Sequence, residues 1–270
     1  MDSYITSLQN SLIKEIVRLQ DKSAQRTSSG TFVVEGRREV SLALANGFEP
    51  LHLLVCPEIY APEPHYPIPL QNLQGLVVHQ VSISVYNKMA YRGNAEGILM
   101  VAKSKWLTLP EFVPEHNTLI VLLEGVEKPG NLGAILRTTD ASGVHAILLC
   151  NSRVDVFNPN VIRSSLGCVF SQKVIPCNNQ DAMRWIKHHR CTLYAASPDT
   201  VHLYSNADLR KPCVVAFGAE DVGLSSEWLQ AADTVIKIPM LGQIDSLNVG
   251  ASVAIIAFEA VRQRQQGLIQ

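Results

Sequence analysis

The sequence predicts an α/β protein with a larger C-terminal part built on a parallel sheet and a small α/β module in front of it. Three observations carry this. From residue 119 onward, short aliphatic runs alternate with helix-like patterns, the alternation that gives a parallel sheet covered on both faces. Several runs stop abruptly at glycine or proline and are followed by a polar loop and a helix start, the usual setting of ligand sites in such sheets. The chain has 270 residues, 47% hydrophobic and 17% charged, enough for two globular domains of ordinary composition.

Taken in order, residues 6–19 carry an apolar stripe (Leu8, Leu12, Ile13, Ile16, Val17, Leu19) of helical period, with Thr6 or Ser7 placed to cap it. A polar stretch follows from Asp21 to Gly30. Strands are expected at 31–34, 52–56, 77–81 and 97–102, and helices at 36–46 and 84–90, with Gly47 where a helix should end. The proline-rich stretch 57–75 reads as a surface excursion. Pro110 and Pro114 mark a linker, so the expected division is a module over 1–104, a linker over 105–116 and a larger domain over 117–270. In that domain the expected strands are 119–123, 145–150, 168–175, 191–196, 213–217 and 234–238. The expected helices are 133–142, 158–166, 180–189, 225–231 and 248–265.

Three loops of the larger domain are rich in polar groups. In the first, Leu119 to Leu123 ends in Glu124-Gly125, then Val126 to Gly133 turns, and a helix begins that carries Arg137 about one turn in. Glycines there let backbone approach a ligand, and a helix start offers unpaired N–H groups. The spacing matches neither G-x-G-x-x-G nor G-x-x-x-x-G-K-[ST]. The second loop is Phe217-Gly218-Ala219-Glu220. The third runs from Ile238-Pro239-Met240 through Ser246-Leu247-Asn248-Val249 into a helix rich in Ala and Val, where Ser246 and Asn248 suit a cap. Gly250, Ala251, Ala254 and Ala257 give that helix a side fit for close packing against another helix or a second subunit.

Asn131…Arg137, then Phe217–Glu220, then Ile238–Val249, in this order, resemble the SpoU/TrmH family of RNA methyltransferases, over about residues 117–265. Phe157-Asn158-Pro159 through Arg163 to Gly167 resembles the segment between the family's motifs. Residues 7–47 resemble the substrate-binding module that precedes the catalytic domain in many members. The resemblance implies a C-terminal deep trefoil knot, an exception to the rule against threaded chains, and a homodimer. It implies S-adenosylmethionine as cofactor and methylation of a ribose 2′-hydroxyl in structured RNA, ribosomal RNA ahead of transfer RNA.

By the same resemblance, Arg137 meets the hydroxyl, and Asn131 and Glu220 orient it. Ser246 and Asn248 supply polar groups of the catalytic site. Gly218, Ile238 and Leu247, with Phe217 and Met240 beside them, hold the cofactor. Arginine keeps its proton strongly, so Arg137 is expected to touch the hydroxyl and a neighbouring phosphate. An exposed helix arginine, or one paired with Glu220, is the structural alternative. Asp245 departs from the family pattern by placing a negative charge near incoming RNA, and Arg92 to Gly97 follows the front module's usual ending only loosely.

Net charge is −1, so any RNA contact must come from a local basic patch. Lys14, Arg18 and Lys22 share one helix face, which suits either a solvated surface or phosphates. Arg26, Arg37, Arg38 and Arg163 are further phosphate candidates. The six cysteines are scattered with no C-x-x-C and read as reduced structural thiols; no metal is expected. With no secretory signal and no apolar run long enough to span a membrane, the expected location is the cytoplasm. Other readings are a resistance methyltransferase acting on ribosomal RNA, a knotted RNA-binding protein without catalysis and a nicotinamide-dependent oxidoreductase. The oxidoreductase reading lacks the second and third fingerprint glycines and a well-placed acidic residue about twenty positions on.

Overall fold

Apolar runs become strands and the stripes between them become helices in a computed structural model that describes residues 3–68, 76–91 and 96–266. The chain divides into two units, Met1–Lys105 with Asp155–Ser171, and Trp106–Val154 with Gln172–Gln270.

The first unit opens with strand β1 (Ser3–Ile5) and helices α1 (Ser11–Asp21) and α2 (Ser23–Ser29). Strand β2 (Thr31–Glu35), helix α3 (Arg37–Ala45), strands β3 (Pro50–Val55) and β4 (Val77–Val81), helix α4 (Ile83–Met89) and strand β5 (Ile98–Lys103) follow. The sheet order is β1-β4-β3-β5-β2, with β5 antiparallel to both neighbours and the remaining pairs parallel. Ile13, Ile16 and Leu19 of α1 pack with Leu54, Val81, Tyr86 and Leu99. The cap of α1 is Asn10, whose Oδ1 accepts from the Leu12 amide at 2.9 Å. Thr6 and Ser7 lie outside the helix, because the residues before them form an edge strand.

The polar stretch after Asp21 is helix α2, and it shows no apolar stripe because its one buried side chain is Arg26. Arg26 is 4% exposed; its Nε donates to Asp155 at 2.6 Å, and its Nη1 donates to the carbonyls of Leu19 and Gln20. A guanidinium only 4% exposed, with its Nε and Nη1 donors taken, is not placed to hold a phosphate, so Arg26 is corrected from an RNA contact to a structural residue. Phe157 stacks on Phe32 at 4.1 Å between centroids, and Phe170 sits edge-on to Phe48. These rings and the Arg26–Asp155 pair anchor Asp155–Ser171, with its helices α6 (Pro159–Ser164) and α7 (Cys168–Ser171), in the first unit. The strand expected over 168–175 therefore begins only at Val174. Leu166 and Gly167 both turn left-handed ahead of it, and Cys168–Phe170 closes a helical turn. A short apolar run does not distinguish helix from strand by period.

The second unit begins with a 3-10 turn, Leu109–Glu111, whose Leu109 and nearby Phe112 enter its core. The stretch expected as linker is thus packed from that turn on. Strand β6 (Leu119–Glu124), helix α5 (Pro129–Ala141), strands β7 (Ala146–Cys150) and β8 (Val174–Cys177), helix α8 (Asn179–His188) and strand β9 (Thr192–Ala196) follow. Strand β10 (Cys213–Phe217), helix α9 (Ser226–Ala231), strand β11 (Thr234–Ile236) and helix α10 (Val249–Gln266) complete it. The sheet is entirely parallel, in the order β11-β9-β10-β6-β7-β8. Every residue of β6, β7 and β10 is buried, as a sheet covered on both faces requires.

From β6 the chain builds outward through β7 to β8, crosses to β9, then returns to place β10 against β6. The loops leaving β6 and β10 therefore meet at the point where the winding reverses, where open α/β sheets bind ligands. Glu124, at the end of β6, is buried and accepts from Asn179 Nδ2 at 2.7 Å and from the amide and hydroxyl of Ser225 at 2.8 and 2.9 Å. It ties β6 to the starts of α8 and α9. Helix α10 crosses α5 closely: a methyl group at Gly250 would sit 3.9 Å from Ala134 and Ile135. The close packing expected of its small residues is therefore, at Gly250, packing within the chain. All six cysteines are free. Among the described residues no helix is long and apolar enough to cross a membrane.

Two outcomes follow for stability. Arg26→Ala leaves Asp155 without its charged partner, with only the Ser23 hydroxyl on that oxygen, and should destabilise the first unit by about 3–5 kcal/mol. Exposed Lys22→Ala should stay within about 0.5 kcal/mol of the parent. Amide exchange in β2 and α1 under urea measures both, and equal protection in the two variants would contradict the assignment. His145 accepts from the Leu119 amide at 3.1 Å, and burial holds its imidazole below the ordinary 6.5. A histidine lowered in the folded state favours folding while neutral and loses that contribution as pH falls through and below 6.5. The melting temperature should drop more on acidification for the parent than for His145→Gln.

Candidate active site

The loop leaving β6 turns at Gly125, where φ is +68°, and α5 starts at Pro129. Proline suits a first helical position, since its φ is preset and no N–H is needed there. The helix thus begins four residues before the expected 133, and Arg137 lies about two turns in. Asn131 falls in the first turn. Its Nδ2 donates to Glu220 Oε1 at 2.6 Å, and Asn248 Nδ2 donates to the same oxygen at 2.6 Å. Lys128 Nζ donates to Glu220 Oε2 at 2.5 Å, which holds the lysine above its ordinary value. Asn248 also caps α10, its Oδ1 accepting from the Gly250 amide at 2.9 Å. One carboxylate thus joins all three loops that the sequence singles out.

A cavity of about 420 Å³ opens beside this junction. Phe217, Gly218, Glu220, Ile238, Met240, Ser246 and Leu247, all expected at the site, line it. Gly218 is forced: a Cβ there would stand 1.9 Å from the Gly223 carbonyl carbon, because the 218–223 turn folds back on itself with the Gly223 amide donating to Ala219 O at 2.9 Å. Ser246 Oγ donates to Asp245 at 3.3 Å, and among the described residues Asp245 has no basic partner.

Arg137 is exposed on α5 and, among the described residues, makes no hydrogen bond or ion pair. The ion pair with Glu220 weighed from sequence does not form; Lys128 takes that place. Lys128 was not singled out from sequence, although a lysine directly before a Pro-Gly helix start is a legible cue. Ser197, Pro198 and Asp199 also line the cavity. They follow β9 directly, and only the strand order, which places β9 beside β10, reveals them.

In the first unit, Lys14, Arg18 and Lys22 are exposed on or just after α1. Arg37 is tied down, with its Nε to Glu96 at 3.2 Å and its Nη1 to the Ala61 carbonyl at 2.9 Å. It is corrected from a free phosphate fork to a brace that ties the start of α3 to the segments around Ala61 and Glu96. Arg38 lies over the Tyr66 ring at 4.9 Å. Arg163 on α6 is exposed. Arg92 lies outside the described residues, as do the three that follow it. Among the described residues no group of three or more His, Cys, Asp or Glu side chains is placed to hold a metal ion.

Comparison with known proteins agrees with this geometry. The SpoU rRNA methylase family model matches residues 118–258, and an MRM3-like substrate-binding domain matches residues 10–100. An uncharacterised tRNA/rRNA methyltransferase of Synechocystis is 33% identical over 269 aligned positions, covering 96% of this chain and 94% of its own. The crystal structure of an RNA 2′-O ribose methyltransferase superposes with a TM-score of 0.83 at 40% identity, covering 97% of this chain and 99% of its own. An S-adenosylmethionine-bound rRNA methyltransferase of Sinorhizobium meliloti superposes at 0.87 with 28% identity, covering 96% and 97%. With more than half its length matched by the family model and its three loops joined at Glu220, the chain belongs to the SpoU rRNA methylase family.

Proposed function

We propose that this protein transfers a methyl group from S-adenosylmethionine to a ribose 2′-hydroxyl of structured RNA, with ribosomal RNA as the preferred substrate. The observation that carries the reading is the Glu220 junction beside a cavity lined by all five expected cofactor residues. The preference for ribosomal RNA is supported by the rRNA methyltransferase that matches both units along the chain.

The cavity suits the cofactor. Phe217, Ile238, Met240 and Leu247 offer apolar walls for an adenine, and Glu220 and Ser246 offer polar edges. Gly218 lets the 218–223 turn fold tightly against the cavity, where a side chain would collide with the Gly223–Leu224 backbone and displace the wall. S-adenosylmethionine, when bound, supplies a methyl group already activated on a sulfonium, so the protein's work is mainly alignment. Asn131, Glu220 and Asn248 hold the two helix starts at fixed spacing. Arg137, free of partners, meets the 2′-hydroxyl and a neighbouring phosphate and steadies negative charge on the attacking oxygen while keeping its own proton. Lys14, Arg18, Lys22 and Arg38 contribute a basic surface for the RNA backbone.

The finer architecture belongs to the same proposal. The segment from Ile238 through α10 threads a deep trefoil knot, and two chains pair through this unit. Exposed apolar side chains there, Phe258 on α10 with Leu241 and Ile244 on the loop before it, support an assembly that covers them. The proposed working location is the cytoplasm.

Arg137→Ala should reduce methyl transfer by about 10²–10³-fold and leave cofactor affinity unchanged. The assay is tritium transfer from labelled S-adenosylmethionine into RNA from cells lacking the gene, digested to nucleosides. Label retained by the variant, or found outside 2′-O-methyl nucleosides, would overturn the reading. Gly218→Ala should weaken cofactor binding at least about tenfold by calorimetry, a loss of about 1.4 kcal/mol; unchanged affinity would remove the cavity from the mechanism.

A further inference from the structure

The first unit holds a second cavity, of about 180 Å³, that the methyl-transfer reading does not use. Pockets for drug-sized ligands run to about 300–1,000 Å³, so this one admits a fragment the size of a single base. Val33, Ile162 and Leu166 give it apolar walls, and Glu35, Glu39 and Arg163 give it charge. Glu35 Oε2 accepts from the Tyr91 amide at 2.7 Å, but its Oε1 is buried and, among the described residues, has no hydrogen-bond partner. The Glu39 carboxylate reaches the site only because residue 36 is glycine: at φ +105°, a Cβ on Gly36 would fall 2.4 Å from Glu39 Oε2. Burial pushes both carboxyls above the usual range; the Tyr91 amide opposes this at Glu35 and the Glu39 amide at Glu39, with the Arg163 charge adding a smaller pull on each. Arg163 nevertheless makes no ion pair or hydrogen bond among the described residues. A third carboxylate at the site, Glu96, is already occupied by the Arg37 amide and guanidinium.

A half-buried carboxylate with one oxygen short of a donor, a second carboxylate beside it, an arginine without an ion pair among the described residues and apolar walls between select a planar ligand with donors on one edge and acceptors on the next. Among RNA bases only guanine presents two adjacent N–H groups, N1–H and N2–H, on its Watson–Crick edge. Its neighbouring edge carries O6 and N7, the pair that arginine grips bidentately. Adenine, cytosine and uracil each bring an acceptor toward the carboxylates. Sequence-specific RNA recognition works mostly on such unstacked bases. We propose that this cavity holds one unpaired guanine of the RNA substrate, read by Glu35 and Glu39 on N1–H and N2–H and by Arg163 on O6 and N7. The inference rests on the RNA-substrate reading above.

The test uses the full chain with methyl-labelled isoleucine, leucine and valine, titrated by NMR with guanosine 5′-monophosphate. Shifts are expected at Val33, Ile162 and Leu166 and not at Ile238 or Leu247. Adenosine 5′-monophosphate should give none, and inosine 5′-monophosphate, which lacks the N2 amine, should bind more weakly. Glu35→Gln should weaken guanosine monophosphate binding between about five- and a hundredfold. Should that variant fold poorly, exposed Arg163→Ala serves instead. It should abolish the preference for guanosine monophosphate over its 7-deaza analogue. Equal shifts with the adenine nucleotide, no shifts with the guanine nucleotide at its solubility limit, or the same shifts from magnesium ion alone would each overturn the assignment. Methyl transfer measured on the same sample separates its failure from failure of the enzyme reading.

Discussion

The Glu220 carboxylate accepts hydrogen bonds from three parts of the chain that sequence separates widely: Lys128 before α5, Asn131 in its first turn and Asn248 at the cap of α10. Hydrogen bonds to an ionised acceptor are shorter and about twice as strong as neutral ones, and three on one side chain restrict its rotamer along with theirs. An amide in its place would bring two donors to a point already crowded with donors. The cavity walls on the β10 loop and on the loop into α10 depend on this one junction for their mutual position.

That junction exists because of how the sheet is wound. Placing β10 between β9 and β6 brings the first and second loops together at their carboxyl ends, which neither loop dictates by itself. Beneath them, Glu124 performs a comparable service one layer down. It fastens the end of β6 to Asn179 and Ser225, so the helices on the far side of the sheet begin at fixed points. Gly218 completes the constraint, since the turn that follows it leaves no room for a side chain.

Long buried strands and the residues of the three loops were legible because period and abrupt termination are local properties. Leu119–Glu124 and Cys213–Phe217 stand where the aliphatic runs are, and the five residues that the motifs would assign to a cofactor line one cavity. What was not legible depends on partners distant in sequence. Arg26 looks like any arginine in a polar stretch until Asp155 and two carbonyls are brought to it. Arg37 is taken by Glu96 in the same way. The helical turn at Cys168–Ser171 reflects Phe170 packing beside Phe48, a contact that no window of local sequence contains. The early start of α5 is legible in Pro129, which suits a first helical turn, but Gly130 and Gly133 carry a loop signal that masks it locally.

The glutamates of this chain show why residue type alone does not assign a role. Glu124 is buried with three donors on its two oxygens, so its desolvation is offset and the group is structural. Glu220 is partly exposed with its donors supplied by the loops it joins, so it organises a site. Glu35 is the opposite case: one oxygen is buried without a donor among the described residues, an arrangement that costs about 1–3 kcal/mol and more for a charged group. An arginine stands near it and does not pair with it. A carboxylate held at such a cost beside an unpaired cation gains most from a ligand that brings donors to one and acceptors to the other, which is the chemistry of a guanine edge.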